Sequence, residues 1–448
     1  MTEKTVREGS LEAPTRHPLN WQDPAFYDEK PLMEELERIY DICHGCRRCV
    51  SLCDAFPTLF DLVDESPTLE VDGVDKADYW KVVDECYLCD LCSQTKCPYV
   101  PPHEWNLDFP HVMLRAKAIQ FKKGERKLSH KLLSNTKLSG AVSSLPLFNQ
   151  AVNAGCRGQD TGSRRLLSKL LDIHPQARLP EFHYDTLRRR EKGHSPKAVE
   201  AQAAGPTRGR VALFATCYCN VQVPDIAQDL MAVFEHNDIP VTLTRKEECC
   251  GMPKLEQGDL ETVKKYKERN IPELLRLIDE GWDVVAAIPS CVLMFKQELP
   301  LMFPDDEGVQ RVKTNIYDPF EYLVHRHKAG LLKTDFRNSL GKVAWHVPCH
   351  QRVQNIGPKT KDVLSLVPGT EIQVIERCSG HDGTYGVRAG TWAKSQKIAR
   401  PVINRVKKME VDYLVSDCPM AATQIAEGLE LKHGEHSPIG LLRRAYGI

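Results

Sequence analysis

Two runs of evenly spaced cysteines near the start of the chain could bind metal. Three thiolates at two-residue intervals can hold three corners of a [4Fe–4S] cubane, and in two-cluster ferredoxins the fourth thiolate comes from the other run. The first predicted cluster uses Cys43, Cys46, Cys49 and Cys97. The second predicted cluster uses Cys86, Cys89, Cys92 and Cys53.

The two runs depart from the ferredoxin spacing at two places. Asp54 stands where a proline would follow the first run, and four residues instead of three separate Cys92 from Cys97. Neither change removes a thiolate, so both clusters are still expected. A pair of zinc knuckles and a redox-reactive thiol cluster are the alternatives. Zinc sites usually combine two pairs of ligands, which does not suit a repeated run of three cysteines.

The C-terminal half carries further cysteines and an internal repeat. Residues 210–222 align without gaps with residues 342–354, at an offset of 132 residues. Each copy alternates short apolar strands with helical patterns, which predicts parallel sheets with helices on both faces. Ligand sites in such sheets form beyond the carboxyl ends of the strands. Four cysteines follow predicted strands, namely Cys217, Cys291, Cys349 and Cys418.

This arrangement resembles the cysteine-rich (CCG) domains of heterodisulfide reductase-related iron–sulfur proteins, in which a cysteine precedes a Cys-Cys pair by some thirty residues. From about residue 40 to residue 448, the chain looks like the iron–sulfur subunit of anaerobic glycerol-3-phosphate dehydrogenase and of glycolate oxidase. The resemblance implies two ferredoxin motifs joined to two CCG domains, which pass flavin-derived electrons towards quinone. In relatives that cleave disulfides the CCG cysteines are catalytic, which here points to Cys249 and Cys250.

The two copies match the CCG pattern unequally. In the first copy Met294 replaces the last cysteine, and Cys219 is a candidate substitute. In the second copy Arg377 and Ala421 replace two cysteines. The first copy retains the ligands for a third cluster, namely Cys217, Cys249, Cys250 and Cys291. The second retains a Cys3His set for zinc or iron, namely Cys349, Cys378, Cys418 and His381. Histidines that only cap loops are the alternative for the second copy.

The patterns together predict an α+β chain, in which a helical two-[4Fe–4S] ferredoxin-like domain precedes a duplicated α/β CCG module. We expect an N-terminal extension, the ferredoxin-like domain, a basic helical region with a linker, and two CCG domains. Their predicted bounds are 1–40, 41–110, 111–209, 210–335 and 336–448.

Composition narrows the function classes. The formal net charge of -1 argues against a nucleic-acid binder. No apolar run approaches the roughly 18 residues that span a bilayer, and the N-terminus lacks an apolar signal region. We therefore expect a cytoplasmic protein whose contact with the inner membrane, if any, is peripheral. Residues 98–210 hold 20 Lys and Arg against 9 Asp and Glu, which is typical of a docking surface for an acidic partner or anionic lipid, or of a solvated helical surface.

The leading functional hypothesis is an electron-transfer subunit that connects the two cubanes with a redox centre in a CCG domain. The chain has no dinucleotide-binding or P-loop motif, so we expect the donor or final catalyst to be another polypeptide. The resemblance implies a flavin dehydrogenase subunit, quinone or a rubrerythrin-like protein as partner. A self-contained disulfide reductase and a zinc-bearing scaffold without redox activity are the two alternatives.

Overall fold

The computed structural model describes residues 14–95, 97–136, 140, 146–157, 161–431 and 436–448. The first residues of the chain, on which the expectation of no secretion signal rests, lie outside this part. No helix within the described ranges has the length and apolar character needed to cross a membrane.

The predicted cluster cysteines lie in a helical region. Leu32, Leu36 and Ile39 recur at helical spacing and are fully buried, so this stripe holds the first long helix against the core. Short 3-10 turns at Pro24–Tyr27, Val71–Gly73 and Lys76–Asp78 join the helices. The helices are α1 (Glu29–Cys46), α2 (Ala55–Asp64), α3 (Tyr79–Glu85), α4 (Leu91–Thr95) and α5 (Phe109–Lys123).

The basic region is also helical where it is described. Two of its longer helices span Phe109–Lys123 and Gly162–Leu171. Arg164 is buried in this second helix and donates to the carbonyl of Gly155 at 3.1 Å. The helices are α6 (Leu128–Leu133), α7 (Pro146–Arg157), α8 (Gly162–Leu171) and α9 (Leu187–Arg190).

The first repeat forms a four-stranded parallel sheet in the order β2-β1-β3-β4. Its strands are β1 (Val211–Leu213), β2 (Val241–Leu243), β3 (Asp283–Val285) and β4 (Ile316–Tyr317). Its helices are α10 (Thr216–Val221), α11 (Pro224–His236), α12 (Met252–Leu255), α13 (Leu260–Asp279), α14 (Pro289–Leu293), a π-helix (Met294–Glu298), α15 (Leu299–Met302), α16 (Glu307–Lys313) and α17 (Pro319–Lys328). The predicted alternation of strands and helices is confirmed.

The second repeat forms a three-stranded parallel sheet in the order β6-β5-β7. Its strands are β5 (Gly341–His346), β6 (Thr370–Ile375) and β7 (Tyr413–Ser416). Its helices are α18 (Cys349–Arg352), α19 (Lys359–Leu364), α20 (Trp392–Lys407), α21 (Pro419–Gly428) and α22 (Pro438–Tyr446). The last helix packs against the first repeat, where Arg443 pairs with Asp229 of α11 at 2.7 Å.

The three parts of the chain share a continuous apolar core. Tyr40 of the N-terminal helices, Val211 of the first sheet and Trp345 of the second belong to the same buried cluster. The segment that precedes α1 is anchored as well, because the indole of Trp21 donates to the carbonyl of Met302 at 3.0 Å. The fold therefore holds the cysteine-bearing loops of all three parts against one another.

Candidate functional site

The first group of thiols lies where helix α1 ends. Cys43 and Cys46 occupy its last turn, and Arg47 ends the helix in the left-handed region while donating its backbone N–H to the carbonyl of Cys43 at 2.8 Å. Burial raises the pKa of Cys43, and the nearby thiols of Cys97, Cys49 and Cys46 raise it further. The structure thus brings together the four cysteines predicted for the first cluster.

The second group lies between helices α3 and α4. Burial raises the pKa of Cys86 to about 11. Burial also raises the pKa of Cys92, and the thiols of Cys49, Cys86 and Cys53 raise it further. The pKa of Cys89 is likewise raised by burial and by the thiols of Cys53 and Cys92. The cysteines predicted for the second cluster are therefore neighbours. Cys49 of the first group lies beside Cys92 of the second.

The third group is in the first repeat, beyond the ends of its strands. The Sγ atoms of Cys217 and Cys249 are 4.0 Å apart. Hydrogen bonds with Cys217 and Cys250 lower the pKa of Cys249, whereas hydrogen bonds with Cys249 and Cys291 raise the pKa of Cys250. The thiols of this buried set therefore interact closely with one another. Such a set of soft donors, once deprotonated, suits an iron–sulfur cluster.

Gly251 and Met294 complete the surroundings of the third group. Gly251 has a φ of 106°, which favours glycine, and a Cβ atom there would lie 3.4 Å from Cε of Met294. Met294 is fully buried and so fills the place of the missing cysteine with an apolar contact. Burial raises the pKa of Cys219, and the thiol of Cys291 raises it further. The candidate substitute therefore lies near the group, on helix α10.

The fourth group is in the second repeat. The last residues of its three strands are paired across the sheet. A cysteine follows each strand by two or three residues, namely Cys349, Cys378 and Cys418. Burial raises the pKa of Cys349, and Cys378, Asp382 and Cys418 raise it further. The structure thus brings together the three cysteines that were predicted for this site.

The histidine predicted for the fourth group is less well connected to the thiols than its neighbour. Burial lowers the pKa of His381 to about 4, and its ring packs beside Gly386. Asp382, by contrast, interacts electrostatically with all three cysteines of the group. Burial raises the pKa of Asp382 to about 7 despite the nearby charges of Lys117 and Arg388. A carboxylate is therefore the fourth polar group at this site.

Two tyrosines connect the groups and were not found from the sequence, because no local pattern marks them. The hydroxyl of Tyr87 lies 3.2 Å from Sγ of Cys378. Burial raises the pKa of Tyr218, and the thiols of Cys418, Cys219 and Cys217 raise it further. Tyr87 therefore joins the second group to the fourth, and Tyr218 lies between the two repeats. Cys156, by contrast, is a buried free thiol outside the four groups.

The first three groups contain the number of thiols that a cubane requires. Within the part of the chain that the structure describes, no three Cys, His, Asp or Glu side chains are arranged to hold one metal ion. The four thiolates of a cubane bind its different corners, so they surround a body of several atoms. All seventeen cysteines lie among the described residues and none of them is in a disulfide, and the first three groups each offer at least four thiols.

Comparison with known proteins identifies the repeated half. The cysteine-rich domain family (CCG) matches residues 211–296 and 343–426. The chain contains two cysteine-rich CCG domains. Together with the two sheets, this match confirms the duplication predicted from the sequence.

Similar proteins include parts of oxidoreductase complexes. The chain is 29% identical to a subunit of anaerobic glycerol-3-phosphate dehydrogenase from Escherichia coli over 340 residues, which cover 75% of this chain and 81% of that protein. It is 26% identical to a subunit of fumarate reductase (CoM/CoB) from Methanothermobacter marburgensis over 226 residues, which cover 49% of this chain and 42% of that protein. An iron–sulfur protein of Methanocaldococcus jannaschii is 23% identical over 406 residues, which cover 87% of this chain and 68% of that protein. The predicted resemblance to the glycerol-3-phosphate dehydrogenase protein is confirmed.

Proposed function

We propose that this chain is the iron–sulfur electron-transfer subunit of an oxidoreductase complex. The N-terminal helical domain would be ferredoxin-like and hold two [4Fe–4S] clusters, on Cys43, Cys46, Cys49 and Cys97 and on Cys86, Cys89, Cys92 and Cys53. The third group would hold a further cluster, on Cys217, Cys249, Cys250 and Cys291. Such clusters, when bound by these thiolates, accept and donate single electrons.

The observation that carries this proposal is the contiguity of the four groups. Cys49 of the first group lies beside Cys92 of the second. Cys89 of the second group interacts with Cys349 and Cys378 of the fourth. Tyr218 then lies between the fourth group and the third. A continuous series of thiol groups across three parts of a chain is the arrangement that electron transfer requires.

The surroundings of the thiols suit this role. Burial in an apolar core excludes water from the third group, in which Cys249, Cys250 and Cys291 are each about 95% buried. Dehydration and nearby hydrogen-bond donors both tune the reduction potential of such centres. The same burial disfavours the second candidate, a self-contained disulfide reductase, because an external disulfide would have to reach Cys249 and Cys250 through the core.

The relatives support a partner polypeptide. Two of them are named as subunits of a dehydrogenase and of a reductase. The electron donor or acceptor of this chain would therefore be another polypeptide, and a flavin dehydrogenase subunit is the leading candidate. Quinone and a rubrerythrin-like protein are the further candidates. The fourth group, with three thiols and a carboxyl group, would hold iron. Zinc, which the same donors also suit, is the alternative that metal counting separates.

A reductive titration of the anaerobically purified full chain tests the proposal. We expect visible absorption that bleaches on addition of dithionite, recovers on reoxidation and takes up at least two electrons per chain. Cys92→Ser should lower the number of electrons taken up, because it removes a ligand of the second group. Cys156→Ser is the matched control, since Cys156 is buried but lies outside the four groups. A colourless chain that takes up no electrons would refute the proposal.

A further inference from the structure

The junction between the second and fourth groups contains a specific polar contact. Tyr87 follows Cys86 directly and is 6% exposed. Its hydroxyl lies 3.2 Å from Sγ of Cys378, which is 291 residues further along the chain. Cys378 also accepts a hydrogen bond from the backbone N–H of Gly380 at 3.3 Å. Sγ of Cys378 therefore has one backbone N–H directed at it and a phenol hydroxyl within hydrogen-bond distance, the latter from the loop of another cysteine group.

A network of side chains holds the Tyr87 ring in place. The ring packs against Tyr385 with 5.1 Å between the ring centroids. Tyr385 donates its hydroxyl hydrogen to Oε2 of Glu85 at 2.7 Å. Lys394 pairs with Glu85 and lies 3.4 Å from Asp54. Because Glu85 and Asp54 each adjoin a cysteine of the second group, this network ties that group to the second CCG domain.

A phenol ionises only at about pH 10 and can donate its hydroxyl hydrogen, whereas a thiolate has no hydrogen to donate. The phenol is therefore the hydrogen-bond donor whenever the sulfur carries negative charge. A hydrogen bond to a ligand sulfur stabilises the added electron of an iron–sulfur centre and so raises its reduction potential.

We propose that Tyr87 is a positioning residue of the electron-transfer path. Its hydroxyl donates a hydrogen bond to Sγ of Cys378, which favours electron transfer from the second group into an iron–sulfur centre at the fourth group. This inference rests on the proposed function and adds the fourth group as the immediate neighbour of the second. The electrostatic contact of Cys89 with Cys349 and Cys378 supports the same order. The third group is then reached from the fourth, past Tyr218.

The test is a potentiometric titration of the anaerobically prepared full chain, followed by electron paramagnetic resonance. Tyr87→Phe removes the hydroxyl and keeps the ring. We expect the centre at the fourth group to become about tenfold harder to reduce, which is a shift of about 59 mV to lower potential for one electron. Cys378→Ser identifies the signal of that centre, because it should change or abolish it.

Tyr40→Phe is the matched control. Tyr40 is a fully buried tyrosine near Cys43 and Cys86, and its hydroxyl donates to the backbone carbonyl of Tyr79 at 3.3 Å instead of to a sulfur. An unchanged potential in Tyr87→Phe, or an equal shift in Tyr40→Phe, would overturn the inference. So would a Cys378→Ser chain that keeps its full iron content and every signal. In these cases the reversible bleaching of the other groups would still support the proposed function, whereas a wild-type chain without bleaching would remove both.

Discussion

Replacing Arg16 with methionine should destabilise the chain strongly, because Arg16 is the cation at the centre of a buried acidic cluster. Its guanidinium lies 2.7 Å from Asp90, 2.9 Å from Asp108 and 3.5 Å from Glu298. The Arg16 side chain is 5% exposed. These acids belong to the second cysteine group, the start of α5 and the π-helix of the first CCG domain. Arg16 therefore joins the N-terminal segment to two other parts of the chain.

Removing one partner of a buried ion pair costs about 3–5 kcal/mol, because the remaining charges stay buried and unpaired. Protonation can relieve part of this cost. Asp90 already has its pKa raised to about 7 by burial. We therefore expect Arg16→Met to lower the free energy of unfolding by about 3 kcal/mol at pH 8.

The loss should become smaller as the pH falls. Without Arg16 the folded-state pKa values of the acids rise above their unfolded values, so the folded variant binds more protons than the unfolded chain and gains stability from pH 8 to pH 6. In the wild type, Asp108 contributes to stability with the opposite pH dependence. Despite burial, His111 and Arg16 lower its pKa to about 2, so its contribution is present above pH 4 and is lost only below that value.

Hydrogen exchange of the peptide that covers residues 14–28 measures the effect locally. About 3 kcal/mol corresponds to an exchange roughly 10²-fold faster, if exchange occurs through local opening. Arg38→Met is the control, because Arg38 pairs with Glu35 at an exposed position where ion pairs contribute at most about 1 kcal/mol. Equal exchange in the two variants, or a difference that grows towards pH 6, would refute the role assigned to Arg16.

Two further predictions concern packing and protonation. Gly258→Ala should lower the free energy of unfolding by about 2–4 kcal/mol, because its Cβ would lie 2.4 Å from the backbone of Lys117. Gly193→Ala is the control, since it has a similar positive φ but lies in open space, and it should lower the free energy of unfolding by about 1–2 kcal/mol. Equal midpoints of denaturant unfolding for the two variants would contradict the steric argument. Burial lowers the pKa of His346 to about 4, so its neutral ring contributes stability above about pH 6.5, and this contribution is lost as the pH falls towards 4. His346→Gln should flatten that part of the pH profile of unfolding, and an unchanged slope would count against a neutral His346.

Much of the site could be predicted because it follows from local spacing. The two-residue interval between Cys43 and Cys46 lies within one turn of helix α1, and the ferredoxin rule predicts the exchange of the fourth ligands between the runs. The repeat predicted parallel sheets, and the ends of parallel strands lie at one edge. Cys349 and Cys418 therefore became neighbours as expected.

The remaining features depend on contacts between distant residues. Tyr87 reaches Cys378 across 291 residues, and Arg16 reaches Glu298 across 282, so neither leaves a pattern in the sequence. In the fourth group, even a local sequence pattern predicts only part of the site. The spacing Cys-x-x-His predicts His381 as a ligand but does not mark Asp382. Gly380 has a φ of 74° and packs against the carbonyl of Ser395, so the course of this loop, and with it the position of Asp382, depends on packing against helix α20.

Counting iron, acid-labile sulfide and zinc in the anaerobically purified chain tests the central claim most directly. Two cubanes require about eight iron and eight sulfide per chain, and centres at the third and fourth groups would raise both numbers. Cys46→Ser and Cys92→Ser should each lower them, whereas Cys156→Ser should not. A chain that contains zinc and no sulfide, with the same metal content in all three variants, would contradict the account.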